Sequence, residues 1–336
     1  MGARDSSNSG NASTRKKLKS LFAGLKSKNF RRKNDAIEKL GKFKATEAVN
    51  KLYDVLKDTN WNYKHRIAAM NALAETQDNN RFKQVLKNIV DDPSKNRELR
   101  RAALTHLAGR RDEDLVGLFR RSLHDEYRFI RFWAVRALLK LKSKKAERAL
   151  IQALGDKDEE IRKDVYMHLE HSGPELVPFL KQAYKGPDAN KFMRCGIMGL
   201  LGRIGKSEAL PVMLDALSDG NDRVVRIAIR GLGKSQNIKA IEPLIDLYTK
   251  EEKYSRFIES SLYKIGRADI NGAVAFMGVI LIDTDDKNVK KLIVETLKKL
   301  VPDSIFAVGE LKTDPQLNKK AIAVLDDLMD KLEQTD

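Results

Sequence analysis

The chain has 336 residues, with 64 Lys and Arg against 47 Asp and Glu, which gives a formal net charge of +17. Its sparse proline and 7% aromatic content, together with abundant Leu, Ala, Lys and Glu, favour a helical protein. The single cysteine, Cys195, excludes an internal disulfide and favours a reducing compartment. We find no apolar run of signal-peptide or membrane-spanning length, so we expect a cytoplasmic protein.

Residues 1–14 are rich in Ser, Asn and Gly, and we expect a disordered polar tail there. Gly2 and Ser6 have the spacing of an N-myristoylation signal, and the basic residues from Arg15 to Lys44 could supply a second, electrostatic membrane signal. Because this pattern is short and arises often by chance, we expect an unmodified tail and no membrane-surface partner. The modification of Gly2 stays open.

One pattern recurs along the chain, with an apolar residue, a cation, two positions, a small or β-branched apolar residue, and a further apolar residue four positions on. The copies are 31 to 34 residues apart, and a degenerate copy around Ile258 has its cation displaced to Arg256. This spacing is typical of a repeated amphipathic helix. We call the following residues the repeat cations: Lys33, Arg66, Arg100, Arg131, Arg162, Arg194, Arg226 and Lys290.

A second apolar-periodic segment lies between copies of this helix. Pro178, Pro211 and Pro243 recur in its first turn, where a missing backbone N–H costs nothing. Each repeat is therefore predicted to be helix, turn, helix. Since one such pair cannot bury its apolar face alone, the sequence predicts an all-α fold, a right-handed α-solenoid of about ten two-helix repeats. The segments are residues 47–57, 81–90, 114–123, 146–154, 176–183, 209–217 and 240–248.

Residues 222–233, DRVVRIAIRGLG, resemble the second helix of a HEAT repeat, in particular the short bacterial kind also seen in phycobilisome lyases. The resemblance covers roughly residues 30 to 325 and implies an armadillo-like α-solenoid. It is specific for the fold and not for a function, because such repeats also serve scaffolds, lyase-chaperones, a metal hydroxylase and DNA glycosylases.

Catalytic and cofactor motifs receive little support. A phosphate-binding loop ending at Lys206 and Ser207 would need glycine where Leu200 stands. His168 and His171 could share one helix turn, but no further metal ligand can be assigned from spacing, and we expect a surface pair. We therefore predict no catalytic residue, no metal, no cofactor and no small-molecule substrate.

The charge is uneven along the chain. Residues 1–150 hold 36 Lys and Arg against 17 Asp and Glu, whereas residues 151–336 hold 28 against 30. We accordingly divide the array into a basic part, residues 15–150, and a continuous near-neutral part, residues 151–336. Arginine with interleaved aromatics suits acidic protein surfaces and nucleic acids alike. The predicted partner-binding residues are Arg97, Arg101, Arg128, Arg131, Trp133, Arg136 and Lys140.

Two opposing interpretations belong beside that prediction. The repeat cations, Arg131 included, are expected to pair with turn aspartates, and Phe132 and Trp133 could be core residues. We expect a non-catalytic scaffold or adaptor that binds an acidic protein partner through the basic half of a groove lined by second helices. The alternative is a nucleic-acid-binding protein with a repair activity like that of the HEAT-like alkylpurine glycosylases, whose catalytic aspartate maps to no position here. Lyase or hydroxylase activity is the third alternative.

Overall fold

The computed structural model describes residues 6–43, 45–76, 79–204 and 206–334. Throughout this part of the chain the secondary structure is α-helix with short 3-10 turns. The helices form two compact units, Met1–Leu150 and Ile151–Asp336.

The first unit contains nine α-helices within its described residues. They are α1 (Ser6–Leu25), α2 (Phe30–Gly41), α3 (Thr46–Lys57), α4 (Tyr63–Ala74), α5 (Asn79–Asp91), α6 (Arg97–Ala108), α7 (Val116–Ser122), α8 (Arg128–Leu141) and α9 (Lys144–Leu150). Helices α2, α4, α6 and α8 pack on one another in order, and α5, α7 and α9 form a second row. The tail predicted for residues 1–14 lies partly outside the described residues, and α1 contains the remainder of it.

The second unit contains the remaining α-helices of the described residues. They are α10 (Glu159–Leu169), α11 (Val177–Tyr184), α12 (Lys191–Ile204), α13 (Leu210–Asp215), α14 (Asp222–Ser235), α15 (Ile241–Lys250), α16 (Ser255–Ala268), α17 (Ile270–Asp283), α18 (Lys287–Lys298), α19 (Asp303–Leu311) and α20 (Lys319–Glu333). The even-numbered helices again pack in order, and α15, α17 and α19 form the other row. In chain order the described helices make ten pairs, which confirms the predicted repeat number and the all-α solenoid class.

The repeat pattern of the sequence is the core of the structure. The residue three positions after each repeat cation is buried, as Ala69, Ala103 and Ala134 show, and so is the leucine seven positions after it in most copies. The degenerate copy forms α16, where Ser261 takes the place of the small apolar residue. Its Oγ donates to the Ile229 carbonyl at 2.9 Å, so that the buried hydroxyl is satisfied.

Short polar side chains start the second helices. Asn62, Asn96, Asp158 and Asp286 each stand four residues before a repeat cation, and each accepts hydrogen bonds from backbone N–H groups of the first turn. Such caps typically contribute about 0.5–2 kcal/mol each. The recurrence of one capping position therefore fixes where these four second helices begin.

The longest apolar stretch of the sequence, residues 272–282, lies within α17. Ala273, Val274, Met277 and Leu281 of this helix are buried in the second unit. No helix in the described ranges combines the length and the apolar character needed to cross a membrane.

Candidate functional site

The repeat cations hold the turns of their own repeats. Arg66 donates from Nε to the Leu56 carbonyl at 2.9 Å, and Arg100 donates from Nε and Nη2 to the Val90 carbonyl at 3.1 and 2.9 Å. Each bond joins the start of a second helix to the end of the helix before it, where carbonyls lack intrahelical partners. These cations therefore have a structural function.

Acidic and tyrosine side chains extend these contacts to the next repeat. Arg100 Nη2 lies 2.5 Å from Asp125 Oδ2, and Arg194 Nε lies 3.1 Å from Asp219 Oδ2 without hydrogen-bond geometry. The Tyr184 hydroxyl donates to Asp219 at 2.8 Å. Burial, followed by this hydrogen bond, raises the pKa of Tyr184 well above its ordinary value. The pairing of cations with turn aspartates expected from the sequence is present in these repeats.

Arg131 belongs to this structural set. Its side chain is buried, with the residue 4% exposed, and Nη1 donates to the carbonyls of Asp125 and Glu126 at 3.0 Å each. Because the guanidinium is engaged with the turn before α8, Arg131 presents little surface to a partner. The binding surface of α6 and α8 therefore does not include Arg131.

The other predicted binding residues lie on α6 and α8, two neighbouring second helices. Arg97, Arg136 and Lys140 are exposed, whereas Arg101 is half-buried and bonded through Nε to Glu98 at 2.9 Å. We call this surface the α6–α8 face. It consists of Arg97, Arg101, Tyr127, Arg128, Phe129, Phe132, Trp133, Arg136 and Lys140.

Aromatic rings of the α6–α8 face lie beside its arginines. The Arg97 guanidinium carbon is 5.6 Å from the Tyr127 ring centroid, and that of Arg136 is 5.1 Å from the Phe132 centroid. Phe129 is 57% exposed. Phe132 and Trp133 are half-buried and meet edge to face, with centroids 5.9 Å apart, so neither is a core residue. The face combines cations with partly exposed aromatics, a composition enriched at protein interfaces.

The second unit contains a cavity that the sequence does not predict. A cavity of about 550 Å³ opens above α12, between α10 and α14. We call it the α12 groove and define it by the residues that line it on these three helices. They are Glu159, Arg162, Lys163, Tyr166, Met167, Phe192, Cys195, Gly196, Met198, Gly199, Gly202, Arg223, Ile227, Arg230, Gly231 and Lys234, with Leu154 beneath.

Small residues of α12 line this groove. Cys195, Gly196 and Gly199 stand at the repeat positions that Phe132, Trp133 and Arg136 occupy on α8. A Cβ placed on Gly199 would approach the Tyr166 hydroxyl to 2.9 Å, so Tyr166 packs directly against α12 at this position. Small residues at positions where α8 has large side chains are the sequence signal that could have indicated the groove.

The rim of the α12 groove is basic. Glu159 pairs with Lys163 at 2.8 Å, and this hydrogen bond, with the charges of Lys163, Arg162 and Arg223, holds the pKa of Glu159 below its ordinary value. Arg223, Arg230 and Lys234 are exposed along α14, and within the described ranges their side chains form no hydrogen bond or ion pair. The groove therefore carries uncompensated positive charge.

Cys195 lies on the floor of the groove and is partly exposed. Burial raises the pKa of its thiol, despite opposing contributions from Arg223, Arg194 and Lys191. A raised thiol pKa lowers the thiolate fraction and the nucleophilicity of the site. We therefore expect the Cys195 thiol, which lines the groove, to react slowly with electrophiles.

In the part of the chain that the structure describes, no three His, Cys, Asp or Glu side chains are placed to hold a metal ion. His171 is exposed and lies 3.8 Å from Glu170.

Solved structures with similar folds include Kap121p, importin beta and Kap95p in a structure with RanGDP. Kap121p is 12% identical with a TM-score of 0.53, and the match covers 94% of this chain and 42% of that one. Importin beta is 14% identical with a TM-score of 0.46 over 94% and 54%, and Kap95p is 13% identical with a TM-score of 0.44 over 95% and 51%. The chain thus spans about half the length of these proteins, and the likeness to Kap121p concerns the fold alone.

Among curated proteins no sequence match was found. The family model described as HEAT repeats matches residues 18–98, 93–170 and 177–262, which is well over half of the chain. These segments contain the repeat cations from Lys33 to Arg226 and the second helices that carry them, and the chain belongs to the HEAT-repeat family.

Proposed function

We propose that this protein is a non-catalytic scaffold that binds an acidic protein partner through the α6–α8 face. The observation that carries the proposal is the composition of that face, where exposed Arg97, Arg136 and Lys140 surround partly exposed Phe129 and Trp133. Aromatic and arginine side chains provide most binding energy at many protein interfaces, because they combine large contact area with directional hydrogen bonds. The basic charge would attract an acidic surface and speed its association.

We propose no catalytic step because the buried charged groups are engaged in contacts within the fold. The buried cations Arg66, Arg100 and Arg131 donate to turn carbonyls, and the buried carboxylate of Asp125 pairs with Arg100. Groups held in this way stabilise the repeat stack. The scaffold proposal accounts for both the buried and the exposed charges.

The proposal is tested by affinity purification with matched charge reversals. Arg97→Glu with Lys140→Glu changes the α6–α8 face, whereas Arg120→Glu with Lys145→Glu makes the same charge change on the exposed surfaces of α7 and α9. We expect wild type and the α7/α9 variant to recover the same acidic protein, and the α6–α8 variant to lose it. Equal recovery by both variants would contradict the proposal.

Nucleic-acid binding is the second candidate, and the partly exposed aromatics of α8 are the observation that favours it. Phosphate contacts make such binding strongly salt-dependent, and bases would stack on the rings. A mobility shift with single-stranded or duplex DNA at low salt distinguishes the two candidates. A shift that Arg97→Glu with Lys140→Glu abolishes would replace the acidic protein by a nucleic acid as the ligand of this face.

A further inference from the structure

We propose that the α12 groove is a second binding site, which takes an extended acidic peptide segment of a partner protein with apolar side chains at alternate positions. This site lies wholly in the second unit, and its existence does not depend on the function proposed for the α6–α8 face. Residues 151–336 hold 28 Lys and Arg against 30 Asp and Glu, so their summed charge does not indicate this basic site.

The shape of the groove suits a single extended chain. Its floor follows α12 from Phe192 to Gly202, a helical path of about 15 Å at the usual rise per residue. An extended peptide of about five residues covers the same distance. Because Tyr166 packs against Gly199, a bound peptide would pass beside the Tyr166 ring and over Cys195.

The cations of α14 have a spacing that an extended acidic peptide can match. Arg223 and Arg230 are two helical turns apart, about 10 Å, and Lys234 lies one further turn on, about 6 Å away. Side chains on one face of an extended chain recur about every 7 Å. Glutamates at alternate positions of a peptide lying along α14 would thus reach all three cations, each of which is exposed.

The opposite wall provides apolar contacts. Met167 of α10 is 55% exposed, and together with Tyr166 of the same helix it lines the groove. A peptide whose glutamates face α14 presents its alternate side chains toward this wall, since successive side chains of an extended chain point in opposite directions. Apolar residues at those positions would cover the exposed Met167.

Charge and aromatic geometry favour a peptide over a nucleic acid in this groove. The Phe192 ring of the groove already lies 4.2 Å from the Arg162 guanidinium carbon and 5.2 Å from Lys191 Nζ, measured to the ring centroid. Single-stranded nucleic acids bind by stacking bases on open aromatic faces. The α12 groove offers a row of cations and an apolar wall, which suit a peptide. Its Phe192 ring already contacts two cations and is less open to a stacking base.

Cys195 allows a direct test, because it is the single cysteine of the chain and lies on the groove floor. The probe is the synthetic peptide Glu-Leu-Glu-Phe-Glu-Leu-Glu, and the readout is the rate of Cys195 alkylation by N-ethylmaleimide, followed by intact mass on the full chain. We expect saturating peptide in low salt to slow alkylation at least about fivefold, since a bound chain would cover the thiol. The same peptide with glutamine for glutamate should leave the rate unchanged.

Matched variants assign the effect to the groove. Arg223→Glu with Arg230→Glu should abolish protection, whereas Lys239→Glu with Lys250→Glu, the same charge change at exposed residues outside the groove, should retain it. Far-ultraviolet circular dichroism checks that both variants fold. Unprotected Cys195 in wild type at saturating peptide would overturn the proposal. So would equal protection by an oligothymidylate, which would show a general polyanion site.

Discussion

Arg100 and Arg226 occupy the same position in two repeats but have different surroundings. Arg100 is 5% exposed, bonds the Val90 carbonyl twice and pairs with Asp125. Arg226 is exposed and donates from Nε to the carbonyl of Asp222, in its own helix, at 3.2 Å. The repeat pattern predicts a cation at both positions, whereas neighbouring residues decide how much that cation contributes to stability.

Replacing Arg100 by Met should lower the free energy of unfolding by about 3 kcal/mol, because it removes the cationic partner of the largely buried Asp125 carboxylate and the side-chain donor of the Val90 carbonyl. Replacing Arg226 by Met should cost less than about 1 kcal/mol, as expected for an exposed contact. Urea denaturation followed by circular dichroism measures both values. Equal losses for the two variants would show that Arg100 has no special structural function.

His106 should make the stability of the first unit depend on pH. Its Nε2 lies 2.8 Å from Asn71 Oδ1. Burial, and then the charge of Arg110, lower the pKa of His106 below the ordinary value. A histidine that is harder to protonate in the folded state contributes stability above its unfolded pKa of about 6.5. That contribution is lost as the pH falls from this value through the folded pKa.

The test compares wild type with His106→Gln between pH 7 and pH 5 by urea denaturation. Fluorescence of Trp61 and Trp133 reports on the first unit, to which His106 also belongs. We expect wild type to lose more stability on acidification than the glutamine variant. Parallel pH profiles would show that His106 is not responsible.

Helices α12 and α14 approach each other closely at two glycines. A Cβ on Gly202 would lie 2.9 Å from the Cα of Gly231, so the two backbones leave no room for a side chain. This contact also sets one end of the α12 groove. Helix propensity alone favours alanine over glycine by about 1 kcal/mol, so the packing at this position acts against the local preference.

Gly202→Ala should therefore destabilise the protein by about 1–3 kcal/mol, because the added methyl meets backbone atoms that cannot rotate away. Gly309→Ala in α19 is the matched control, since the nearest atom to its Cβ is Met329 Cε at 3.8 Å. There we expect a gain of up to about 1 kcal/mol from helix propensity. Thermal denaturation of both variants checks the signs, and a stabilising Gly202→Ala would rule out the close approach.

The sequence predicts the helices well because their signals are local. Prolines at 178, 211 and 243 do lie in first turns of α11, α13 and α15, and the degenerate copy at Ile258 does form α16. Helix α1, by contrast, begins at Ser6 within a segment whose composition favours a tail. Composition describes the chain's average tendency, whereas α1 packs on α2, a contact that composition does not encode.

At the scale of the whole molecule, net charge predicts a basic half but not where a groove lies. Arg131 counts toward that charge although it is buried against its turn, whereas Arg223, Arg230 and Lys234 are cancelled in the sum by acids elsewhere in residues 151–336. Charge summed over a half-chain is insensitive to which face each side chain occupies. The packing of the second helices, and not the summed charge, therefore determines which residues form the candidate surfaces.

The scaffold account also makes a prediction about ionic strength. Binding of the acidic partner should weaken at least about tenfold when NaCl is raised from about 50 mM to about 500 mM, because salt screens the charges of an exposed interface. Titration calorimetry at the two concentrations measures this change. An affinity insensitive to salt would mean that Arg97, Arg136 and Lys140 contribute little.

Hydrogen–deuterium exchange of the full chain, with and without the recovered partner, tests most directly whether the second helices of the first unit form the binding surface. We predict that the partner slows exchange in α6 and α8, including the segments that carry Arg97 and Arg136, and leaves α5 and α7 unchanged. Protection confined to α5 and α7, or no protection in the first unit, would contradict the account.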